Sequence, residues 1–165
     1  MREIITQPDP RLRQTAAMVT SFDPALATLC QDLNEAMLAG PGGVGIAAPQ
    51  VGELVRVVVV DCRKSMRPCK NHGLLYMVNP EIFSKDGEVL GREGCLSVPD
   101  WVGVVPRAKR VEVRYQDLYG EMHDLESTGF EARVIQHEID HLDGVLFVDR
   151  VVSTKDLVRR LQSAS

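Results

Sequence analysis

The chain has 165 residues, 44% of them hydrophobic and 25% charged, with a formal net charge of −4. That mix reads as one globular domain over residues 1–165, and it excludes a disordered chain, a collagen-like repeat and a basic nucleic-acid-binding domain. The longest purely apolar run, Val57–Val60, is far short of the ~20 residues of a membrane helix, and Met1–Thr6 carries no signal-like core, so a cytoplasmic protein with no membrane partner is expected.

Taken in chain order, the first clear element is a helix. Asp23 suits its cap, Pro24 its first turn, and Leu26, Leu29, Cys30, Leu33 and Met37 recur at helical spacing up to the Gly40–Gly43 cluster. Val44–Gln50 is small and apolar, and Val55–Asp61 reads as a buried strand. The polar stretch Cys62–Gly73 then leads to a strand, Leu74–Val78, that ends at Asn79-Pro80 and pairs antiparallel with the first. Val111–Tyr115 alternates like a strand with one wet face; Asp117–Gly120 turns it back along Glu121–Glu126. Thr128–Leu142 is the second helix, with Phe130, Val134, His137 and His141 on one face and Gly144 as its stop. Val145–Val151 reads as a strand and Thr154–Leu161 as a short terminal helix. The expected fold is α+β, mostly antiparallel strands around a central helix.

The four cysteines, Cys30, Cys62, Cys69 and Cys95, and four histidines, His72, His123, His137 and His141, suit free thiols and a metal better than disulfides. His137-Glu138-Ile139-Asp140-His141 is H-E-x-x-H. On a helix, residues four apart lie one above the other, so both imidazoles can reach one ion. Glu138 beside them can take a proton from a metal-bound water. Phe147 occupies the position of a third histidine in the metzincin pattern, so the third ligand is sought upstream. Cys95, next to Gly94, stands out there, while His72, His123, Cys62 and Cys69 are weaker candidates. Gly43–Gln50 leaves backbone open to an approaching chain, and Gln50 offers an amide donor. A helix precedes that segment and a strand follows, the reverse of a dinucleotide fingerprint, so no nucleotide cofactor is expected.

Together Gly43–Gln50, Glu93–Ser97 and Gln136–His141 resemble, complete and in order, the motifs G-x-G-x-A-A-x-Q, E-G-C-L-S and Q-H-E-x-D-H of the peptide deformylase family. Further similarity runs from Pro8–Arg13 to His141–Gly144. The resemblance implies a hydrolase that removes the formyl group from the N-terminal formylmethionine of newly made polypeptides, releasing formate. It implies Cys95, His137 and His141 as ligands of one divalent ion, Fe²⁺ by expectation, with Zn²⁺, Ni²⁺ or Co²⁺ also suited to such ligands. Glu138 is then general base and acid, and Gln50 and the Leu96 N–H donate to the oxyanion. Gly45 and Gly94 pair with the substrate backbone, and Val44, Val134 and Ile135 line the methionine pocket. Some members carry a peptide-contacting arginine where this chain has Val102, and in some a terminal helix docks on the ribosome, a role that Lys155, Arg159 and Arg160 suit.

Overall fold

The computed structural model describes residues 2–40, 43–66 and 68–159. Helix α1 spans Pro24–Ala39; the Asp23 carboxylate accepts from the Leu26 N–H at 3.1 Å, and Gly40 ends the helix. Strands β1 (Gly45–Ala47), β2 (Val57–Asp61), β3 (Leu74–Asp86), β6 (Arg110–Gln116) and β7 (Met122–Thr128) form an antiparallel five-stranded sheet in the order β1-β2-β3-β6-β7. A second, three-stranded sheet has the order β4 (Val89–Cys95), β5 (Val98–Arg107), β8 (Leu157–Arg159). Helix α2 spans Gly129–Leu142, and every side chain from Glu131 to Leu142 is buried. The architecture is the expected α+β fold around the helix that bears the histidines.

The solid valine run of β2 has a simple cause. Val57 and Val59 pack into one cluster with Leu26, Leu29, Leu33 and Met37 of α1, while Val58 and Val60 pack into another with Ile135, Ile139 and Leu142 of α2. Both faces of the strand are covered by helix, so alternation is lost and every position is apolar. A third cluster, Leu12, Val98, Val105, Leu146 and Phe147, sits under the smaller sheet.

Three expected elements differ in the structure. The strand that begins at Leu74 runs on to Asp86 rather than stopping at Asn79-Pro80. Asn79 takes a φ of 51°, its side chain accepts from Val19 N–H at 2.8 Å and donates to Val19 O at 2.9 Å, and the register shifts between Val78 and Glu81. Proline therefore falls in a bulge, where no ladder donor is needed. Val145–Val151 is not a strand: Phe147–Asp149 is a 3-10 turn, because Phe147 turns inward to 1% exposure and the Asp149 carboxylate accepts from Leu146 N–H. Instead of a terminal helix, Thr154–Asp156 forms a single 3-10 turn capped by Ser153, and Leu157–Arg159 joins β5 with Val158 opposite Val102. Arg160 and Leu161 lie outside the described residues. The β4–β5 hairpin had no clear strand signal, being interrupted by Gly91, Gly94, Pro99, Gly103 and Pro106.

Candidate active site

The site lies where the open edge of one sheet meets that of the other. A cleft of about 250 Å³ is lined by Val44 and Gly45 from the β1 side, by Arg92, Glu93, Gly94 and Cys95 of β4, by Leu96 and Gln50, and by Phe130, Arg133, Val134, His137 and Glu138 of α2. The ligand-bearing atoms of Cys95, His137 and His141 all come within 4.8 Å of one another. Cys95 Sγ is 3.3 Å from His141 Nε2, and the two imidazoles meet edge to face at 5.2 Å.

Each group is aimed by neighbours. His137 Nδ1 is 2.8 Å from Glu93 Oε1, which leaves its other ring nitrogen for the cluster. Glu93 is gripped in turn: Arg107 donates to both of its oxygens at 2.9 Å, and Arg133 Nη1 to one at 2.6 Å. Arg107 Nη1 also reaches Asp140 at 2.6 Å, nearly one turn along α2 from His137, and Asp140 accepts from Arg150. The Gln50 carbonyl oxygen accepts from Ala47 N–H at 2.9 Å, so its amide nitrogen faces Ser97 Oγ at 3.1 Å and Cys95 Sγ at 3.6 Å. Gly45 explains its own identity: a Cβ there would stand 2.6 Å from Glu138 Oε2 and 2.7 Å from Val134 Cγ1.

Burial sets the electrostatics. Glu138 is pushed up to about 7, chiefly by loss of solvent. His141 is driven well below the ordinary histidine value by burial and by the positive neighbours His137 and Arg107. Burial also opposes charge on His137, but Glu138, Cys95 and Glu93 outweigh it and hold the ring well above its usual range. Glu93 is held down to about 2, since His137 and Arg107 outweigh its burial. Two buried atoms at the cluster, His141 Nδ1 and Glu138 Oε1, have no hydrogen-bond partner. A thiol and two imidazoles whose ligand atoms converge within 4.8 Å fit a divalent cation.

Of the residues singled out from sequence, the fold brings Cys95, His137, His141, Glu138, Gln50, Leu96, Val44, Gly45, Gly94 and Val134 to this one cleft. Ile135 is the exception. It is fully buried in the core with Val58 and Leu142, and the wall beside Val134 is Phe130, one helical turn earlier on the same face. His72 and His123 lie elsewhere: His72 is clamped to Glu131 at 2.6 Å, and His123 to Asp117 at 2.7 Å. Cys30 and Cys62 are core thiols, both pushed up to about 12 by burial. Sequence reasoning missed the aiming role of Glu93 and its grip by Arg107 and Arg133. Its one visible sign was a carboxylate inside the cysteine motif.

The polypeptide deformylase family profile matches residues 1–157. The chain is 44% identical over 151 residues to the peptide deformylase of Wolinella succinogenes, covering 92% of this chain and 88% of that one. The crystal structure of the Thermotoga maritima peptide deformylase superposes with a TM-score of 0.85 at 40% identity, covering 93% of this chain and 99% of that one. The Met-Ala-Ser-bound class I type b enzyme of Acinetobacter baumannii gives 0.85 at 42%, covering 92% and 98%. The chain belongs to the peptide deformylase family of metal-dependent hydrolases.

Proposed function

We propose that this protein removes the formyl group from N-formylmethionyl nascent polypeptides, with Cys95, His137 and His141 holding one divalent ion, Fe²⁺ by preference. The observation that carries this reading is the meeting of these three ligand groups within 4.8 Å, in a cleft that Glu138 and Gln50 also line. When bound, the cation supplies a Lewis acid that polarises the formyl carbonyl and makes water more acidic. Glu138, titrating near neutrality, takes the proton of the attacking water and delivers it to the leaving amine. Gln50, its oxygen pinned by Ala47, and the Leu96 N–H present donors to the negative charge that develops on the formyl oxygen.

Gly45 and Gly94 border the open strand edges and pair with the peptide backbone as an added strand; Val44, Val134 and Phe130 receive the methionine side chain. Formyl is the smallest acyl group, so the narrow space at the ligands rejects acetyl. Among the described residues no helix is long and apolar enough to cross a membrane, and a cytoplasmic place of action is part of this reading. So is ribosome contact through the exposed Lys155 and Arg159, now on a turn and a strand.

Anaerobic purification, metal analysis and turnover of formyl-Met-Ala-Ser against acetyl-Met-Ala-Ser test it together. The expected result is about one iron per chain, formate release from the formyl peptide only, and loss of activity in air that Ni²⁺ substitution prevents. A metal-loaded protein that releases no formate, or that cleaves both peptides equally, overturns it.

A further inference from the structure

The charged groups of the cleft are unequal in one respect. Glu93 is neutralised by Arg107, Arg133 and His137, and Arg133 is itself spent on Glu93, Val105 O and Val89 O. Glu138 is buried. Arg92 also lines the cleft, yet it is exposed, and among the described residues its guanidinium has no hydrogen-bond or ion-pair partner. It is the uncompensated cation of the cleft lining.

Its place along the strand gives that charge a direction. Strand β4 is an edge of its sheet, paired on one side only, with β5. Arg92 precedes the ligand Cys95 by three positions, about 10 Å of extended chain. A peptide whose formyl end lies at Cys95 and whose backbone follows β4 past Gly94 brings its third residue level with Arg92. On this strand Glu93 turns under to His137, so Arg92 is carried on the opposite, open face.

We propose that Arg92 is a specificity-determining subsite for a carboxylate on the third residue of the formylated peptide. The inference rests on the deformylase reading and names a preferred class of its substrates, those with Asp or Glu at that position. An exposed arginine–carboxylate pair is modest in strength, so the expected preference for acidic over basic peptides is about two- to five-fold at low salt. It is carried by KM rather than kcat, because the contact is made equally in ground and transition states. Salt at ~1 M screens it out.

The test compares formyl-Met-Ala-Glu, formyl-Met-Ala-Ser and formyl-Met-Ala-Lys, all as C-terminal amides, in the wild-type holoenzyme, Arg92→Gln and Arg92→Glu. The expected order of kcat/KM in wild type is Glu over Ser over Lys, flattened in Arg92→Gln and inverted in Arg92→Glu. A merely structural arginine could not invert the order with charge. No ranking in wild type, or the same ranking in all three proteins, overturns the subsite while turnover of the Ser peptide leaves the activity standing. Failure of the wild-type holoenzyme on every formyl peptide would instead strike the deformylase reading itself.

Discussion

Among the described residues, two places gather three ligand-type side chains within 4.8 Å: Cys95, His137 and His141 in the cleft, and Asp117, Glu121 and His123 at the β6–β7 turn. Counted by residue type they are rivals. They differ in what the groups are already doing. On the turn, Asp117 accepts from Tyr119 N–H at 2.8 Å, from Glu121 N–H at 3.1 Å and bonds His123 Nε2 at 2.7 Å, while His123 stacks on Tyr115. Those bonds shape the hairpin, and water competes for what remains. In the cleft both histidines are buried and Cys95 is half-buried, Glu138 Oε1 beside them lacks a partner, and a carboxylate held by two arginines aims one imidazole. What marks the cleft cluster as the better candidate for a metal is therefore not its geometry alone but donors that are buried and fixed in orientation.

The sharpest way to break this contrast is to remove one ligand from each triad. Cys95→Ala is expected to abolish metal retention and formate release together, whereas His123→Ala leaves metal per chain unchanged; elemental analysis of both decides. Glu138→Gln separates holding from chemistry: metal stays stoichiometric while turnover of formyl-Met-Ala-Ser falls by about 10²–10⁴-fold. Glu93→Gln probes aiming without touching a ligand, and metal affinity measured by competition with a chelator should fall by about 10–100-fold. The smallest effect concerns thiols that burial silences. Cys30 and Cys62, pushed up to about 12, stay protonated where an unfolded thiol near 9 ionises. Raising the pH from 8 to 10 therefore speeds iodoacetamide labelling of the urea-unfolded chain but not of these two positions in the folded one, as peptide mass spectrometry would record.

Legibility from sequence followed the range of the interactions. H-E-x-x-H announced itself because its geometry is local to one helix, and the β6–β7 hairpin because its turn residues sit between alternating runs. Helix α1 was equally plain, cap included. Glu93 was quoted only as a letter of a motif, since its partner His137 lies on another element and no local pattern links them. The place of Ile135 in the core rather than at the cleft lining has a related cause. Adjacent helix residues point about 100° apart, so Val134 in the cleft puts Ile135 in the core. The chain end misled because Leu157-Val158-Arg159 borrows its structure from β5, a contact no short window contains.

The open strand edges have a consequence beyond substrate. An unpaired edge is a template for another chain, and each sheet here has two ends. The outer strand of the large sheet, β7, carries His123, Asp124 and Glu126, charged or polar and exposed, while β8 is only three residues long. The remaining two, β1 and β4, border the same cleft, which α2 and Leu96 also line. The edges of β1 and β4 are therefore gathered at one cleft instead of being spread over the surface.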